Sequence, residues 1–77
     1  MRFSRHAKNN MRLYGITAVD VELALERPDR RDQEGGYLIA YRQFFRRYAN
    51  LPLKVVYVIE DDVVIVSVYP IRKSYWR

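Results

Sequence analysis

His6 is the one histidine of a 77-residue chain that has no cysteine. Imidazole is the side chain whose ordinary pKa lies near neutrality, so general acid or base work at neutral pH has a single candidate here. It falls in the first turn of an expected helix, where a locally packed or capping histidine is the plainer alternative. A second group is cationic. Arg46, Arg47 and Lys54, with Arg42 upstream, are interleaved with Phe44, Phe45 and Tyr48. Cations for phosphates beside aromatic planes for bases are what single-stranded RNA binding requires. The competing account keeps strand aromatics in the core and leaves the arginines solvated. Tyr69, expected across a hairpin from Lys54, sets a phenol beside an ammonium, a pair suited to phosphate. At the C-terminus Arg72, Lys73 and Tyr75 join the nucleic-acid-binding candidates, while Trp76 is assigned to packing.

Other chemistries lack their residues. Without cysteine there is no disulfide and no thiolate, and one histidine cannot build a zinc centre. Glu60-Asp61-Asp62 are consecutive acids at a hairpin tip without the spaced ligands of a calcium loop, so they read as a solvated turn. No metal and no cofactor are expected. No apolar run approaches the ~18 residues of a membrane span, and the first residues lack the apolar stretch of a signal peptide, which makes the cytoplasm the expected compartment.

The chain carries 14 Lys+Arg against 9 Asp+Glu, a formal net charge of +5. Residues 1–41 hold seven basic and six acidic side chains, and residues 42–77 hold seven and three. The surplus therefore sits in the second half, and it points to an anionic partner, RNA or an acidic protein.

The elements that must position these residues are punctuated clearly. Ser4 caps a first helix over Arg5 to Tyr14, and Gly15 takes the left-handed position at its end. Thr17 caps a second helix over about Ala18 to Arg27, with Asp20 accepting from its first amides, Ile16 and Val21 forming a hydrophobic staple and Pro28 forbidding continuation. Ala7, Met11, Ala18, Val21, Ala24 and Leu25 make the buried faces. After Gly35-Gly36 a strand is expected over Tyr37 to Phe45, with Asp29 to Glu34 adding a short edge strand. Leu53 to Ile59 and Val63 to Tyr69 form a hairpin. One domain of α+β class is implied, two N-terminal helices packed on one face of a small antiparallel sheet of three to four strands.

A turn centred on Asp61-Asp62 pairs Glu60 with Val63, Val58 with Ile65, Val56 with Ser67 and Lys54 with Tyr69. The opposite face, Val55, Tyr57, Ile59, Val64, Val66 and Val68, is then the core. A three-residue loop would shift this register and swap the assignment on one strand. Val56, Val58 and Ile65 would otherwise lie uncovered, which suggests a homodimer or a protein partner.

Phe3-Ser4-Arg5-His6-Ala7, Met11, Gly15-Ile16-Thr17, Val21, Leu25 and Pro28, followed by Leu53-Lys54-Val55-Val56-Tyr57 and Val64-Ile65-Val66-Ser67-Val68-Tyr69-Pro70, resemble the small prokaryotic proteins grouped as domain of unknown function 4258. That group is similar in layout to the BrnT and RelE-like toxins, compact α+β domains that cut RNA and are silenced by an antitoxin. The resemblance carries over His6 and Tyr69. With the lone histidine and the basic second half it makes a metal-independent endoribonuclease acting on single-stranded RNA the leading expectation. His6 is then the acid or base, Lys54, Arg46 and Arg47 the charge stabilisers, Tyr69 or Tyr75 a positioning or proton-donating group, and an acidic antitoxin-like protein the partner. Asn10 and Tyr14 stand where members often carry arginine, which shifts any phosphate contact to Arg46, Arg47 or Lys54. A noncatalytic module that binds RNA or a protein is the alternative.

Overall fold

In a computed structural model of the chain, described over residues 1–72, the order of elements is β1 (Arg2–Phe3), α1 (Arg5–Tyr14), α2 (Ala18–Glu26), β2 (Arg30–Glu34), β3 (Tyr37–Arg42), a 3₁₀ turn at Tyr48–Asn50, β4 (Leu53–Glu60) and β5 (Asp62–Pro70). The α+β class is as expected, but the sheet has five strands in the order β1-β5-β4-β3-β2. It is mixed: β1 runs parallel to β5 and the other neighbours are antiparallel. Two residues are too few to show a period in sequence. What fixes β1 is its place immediately before the capped helix.

Local chemistry sets the helices. The Ser4 hydroxyl accepts from the Ala7 amide at 3.0 Å and donates to the Val66 carbonyl at 2.7 Å, so one side chain starts α1 and ties it to β5. Gly15 ends the helix at φ 66, a conformation that costs other residues about 1 kcal/mol or more. Thr17 caps α2 at the Asp20 amide, 3.2 Å away, and Ile16 and Val21 are both buried. The helix stops at Glu26, with Arg27 as its cap one residue before Pro28. Ser4→Ala is expected to cost about 2 kcal/mol, from a lost cap and a β5 carbonyl left without its donor. Urea unfolding of the variant measures it.

The strands follow from their turns. Gly35 and Gly36 both take positive φ, as a two-residue hairpin loop demands, and the pairing runs from Glu34↔Tyr37 to Arg30↔Tyr41. β3 ends at Arg42, three residues short of the expected Phe45. The chain leaves the ladder there because the Gln43 amide donates to the Asp29 carboxylate at 2.7 Å, and Arg46, Tyr48, Ala49 and Asn50 then adopt positive φ.

The β4–β5 hairpin needs a correction. Its base is paired as expected, Lys54↔Tyr69 and Val56↔Ser67, but the tip pairs Tyr57↔Ile65, Val58↔Val64 and Glu60↔Asp62 about Asp61. Val66 is the extra residue in a bulge between the two registers. The bulge turns the outer half of β5 over, so Ile65 is fully buried while Val64 and Val66 are only partly covered. Ile59, expected in the core, is 66% exposed at the tip.

The core lies between the helices and one face of the sheet: Ala7, Ile16, Val21 and Ala24 meet Ala40, Leu53, Val55, Tyr57, Ile65 and Val68, with Phe44 from the loop after β3. α1 packs chiefly on β5, and α2 on β3 and β4. No helix among the described residues is long and apolar enough to cross a membrane.

Candidate anion-binding site on the helix-free face

Alternation along a strand sends neighbours to opposite faces. Val55 and Val68 are buried beneath the helices, so Lys54 and Tyr69 emerge on the other side of the sheet. There they are direct cross-strand partners, with the Lys54 ammonium 5.9 Å from the centre of the Tyr69 ring. Tyr41 lies opposite Lys54 on its other flank and is 5% exposed. Beyond Pro70 the chain continues through Ile71 and Arg72, held by the Ile71 amide donating to the Pro52 carbonyl at 2.9 Å. These six residues, Tyr41, Lys54, Tyr69, Pro70, Ile71 and Arg72, line a pocket of about 480 Å³. Its chemistry is two cations, two phenols and an apolar rim. An ammonium and a guanidinium, with no carboxylate among the described lining residues, suit an anion, and the ring of Tyr69 beside them suits a base or a sugar.

His6 is elsewhere. It is exposed on α1, with Asn10 Nδ2 3.5 Å from its Nε2, and α1 packs on the core face of the sheet. The sheet therefore stands between His6 and the Lys54–Tyr69 pair, and the three residues expected to act together fall into two places. The expected basic and aromatic cluster divides in the same way. Arg47 turns to the helix side, where its Nη1 donates to both carboxylate oxygens of Asp20 at 2.6 and 2.7 Å. Arg42 donates to the Arg27 carbonyl beyond α2. Both guanidinium groups also lie 5.6 Å from the ring centre of Phe44, which is buried. Their charges hold the loop to α2. Arg46 and Phe45 are exposed in that loop, while Lys73 and Tyr75, with Trp76, lie outside the described residues.

Asp20 was expected to accept from helix amides. Its carboxylate instead takes Arg47 and the Tyr48 hydroxyl, although its position in the first turn of α2 remains favourable for a negative charge. Burial pushes the Tyr48 phenol above its ordinary value of 10.0, and the Asp20 carboxylate adds to the rise. A raised folded value means that the native state holds this proton more tightly than the unfolded chain. The associated stability is complete below pH 10 and lost as pH climbs through the folded value. Tyr48→Phe is therefore expected to flatten the alkaline decline of the unfolding free energy above pH 10, measured by urea titration at a series of pH values.

Tyr41 was legible only as a strand residue. Its place in the site follows from counting back through the two-glycine turn and across to Lys54, a register that residue type does not announce. Among the described residues no group of three or more His, Asp or Glu side chains is arranged to hold a metal ion.

No curated protein and no solved structure matches the chain. The model of the family described as a domain of unknown function, DUF4258, matches residues 3–70. That span carries both helices, all but the first residue of the sheet, and the Lys54–Tyr69 pair, and the chain belongs to this family.

Proposed function

We propose that the domain is a cytoplasmic, toxin-like endoribonuclease that cuts single-stranded RNA without a metal, in the pocket on the helix-free face. The observation that carries this reading is the convergence of Lys54, Tyr69 and Arg72 around one pocket. A phosphodiester placed there has its charge met by Lys54 and Arg72, and a neighbouring base can lie on Tyr69. In the cleavage step the 2′-oxygen attacks phosphorus and the bond to the 5′-oxygen breaks, leaving a 2′,3′-cyclic phosphate and a 5′-hydroxyl. Lys54 and Arg72 hold the added negative charge of the phosphorane, which is the electrostatic part of catalysis. The Tyr69 hydroxyl gives its proton to the leaving 5′-oxygen. The proton released at the 2′-hydroxyl passes to solvent, from which Tyr69 is reprotonated. An acidic antitoxin-like protein would silence such a site by covering its cations.

A second reading, a noncatalytic RNA-binding module, is favoured by one observation: the lone imidazole is on the other side of the sheet. Incubation of the purified protein with single-stranded RNA in EDTA separates the two. Cleavage that depends on Lys54 and Tyr69 supports the ribonuclease, salt-sensitive binding without new RNA ends supports the module, and neither outcome removes both.

A further inference from the structure

We infer that the nucleic-acid track runs across the strands and ends at Arg30, outside the pocket. This rests on the RNA reading of that pocket. The register sets four side chains abreast, because Arg30 pairs with Tyr41, Tyr41 with Lys54 and Lys54 with Tyr69. Cation and aromatic alternate along the row. Adjacent strands lie about 4.8 Å apart, so the row spans about 14 Å and its two cations stand about 10 Å from each other. Each cation reaches toward the ring beside it. The Arg30 guanidinium is 5.8 Å from the centre of Tyr41, and Lys54 is at a similar distance from Tyr69.

Burial assigns the parts. Tyr41, at 5% exposure, is the floor between the two cations and offers no open plane, so stacking falls to Tyr69. Arg30 belongs to an edge strand whose five residues are all exposed, and it does not line the pocket. A single phosphate would occupy Lys54 and Arg72 alone. A chain continuing over Tyr41 brings a further phosphate to Arg30, so the site takes a connected single strand in preference to a free phosphate or a mononucleotide. Asp32, two residues along the same face of β2, opposes this approach, its carboxylate 3.8 Å from the Arg30 guanidinium.

The test is fluorescence anisotropy with a labelled single-stranded oligouridylate at several salt concentrations. Three cation contacts, Arg30, Lys54 and Arg72, give a slope of log K against log salt of about −2, at about 0.7 per phosphate neutralised. Arg30→Gln is expected to weaken binding and to make the slope shallower by about 0.7. Asp32→Asn is expected to tighten binding, the opposite sign from the same exposed strand, with both variants retaining the wild-type circular dichroism spectrum. An Arg30→Gln slope equal to wild type, or an Asp32→Asn variant that binds no tighter, overturns the extension. If Lys54→Ala still weakens binding in that case, the pocket reading stands. Absence of wild-type binding at low salt overturns the RNA reading itself.

Discussion

Asp20→Ala is expected to lower the midpoint of thermal unfolding by about 10–20 °C. Breaking a buried ion pair costs about 3–5 kcal/mol when the stranded charge stays buried. Here the survivor is Arg47, whose side chain is 57% exposed against 3% for Asp20. The guanidinium can turn to water, which reduces the cost to about 2–3 kcal/mol. Tyr48 loses its acceptor at the same time, and the loop that carries both residues loses its attachment to α2. At about 4–8 °C per kcal/mol for a domain of this size, the shift follows. The reciprocal change discriminates between a pair and a mere contact. Arg47→Ala leaves the buried carboxylate behind, so it should be at least as damaging as Asp20→Ala although it removes the more exposed partner. Melting curves of the two variants check the order, and a midpoint within about 2 °C of wild type for both would show that the pair does not hold the loop.

Lys54→Ala should reduce RNA cleavage by about 100-fold or more, the scale of losing one group aimed at charge that develops in a transition state. Its ammonium is the pocket's cross-strand cation, and its stem is partly buried. Tyr69→Phe keeps the ring and removes only the hydroxyl, so kcat should fall while RNA affinity holds. That split separates proton delivery from stacking. His6→Ala should leave the rate unchanged, since the sheet lies between it and the pocket. The pH profile gives an independent reading. Among the described residues the pocket lining contains neither imidazole nor carboxylate, so the rate should show no break near pH 6.5, the ordinary value of a histidine. Loss of activity in His6→Ala with a break at that pH would move the chemistry to the helix side.

The helices were legible to within one residue because their ends are written in short-range chemistry. Ser4, Gly15, Thr17 and Pro28 act on amides and carbonyls within four positions of themselves. Lys54 opposite Tyr69 was legible as well, since the base of the hairpin keeps the register that the apolar alternation implies. The tip was not. Whether the chain turns through an even or odd number of residues near Asp61 decides which face Ile65 occupies, and both choices leave apolar residues on the core side. The fate of the arginines was hidden for a related reason. Arg42, Arg46 and Arg47 are close in sequence and alike in type, yet what distinguishes them is a carboxylate 27 positions before Arg47 and a carbonyl 15 positions before Arg42. Aromatic interleaving marked the loop as a recognition surface, whereas Phe44 is the ring against which two of its cations fasten the fold.

The Val66 bulge divides the hairpin into two segments with separate phases. Below it, Lys54 and Tyr69 keep their pairing whatever happens at the turn; above it, the tip is aligned by Asp61. The extra residue is anchored by Ser4, so it cannot drift along the strand. Above the bulge the tip has its own ties, the Met1 amino group on Asp62 and β1 alongside Val64 and Ile65. The cationic row at the other end of the same two strands stays in alignment.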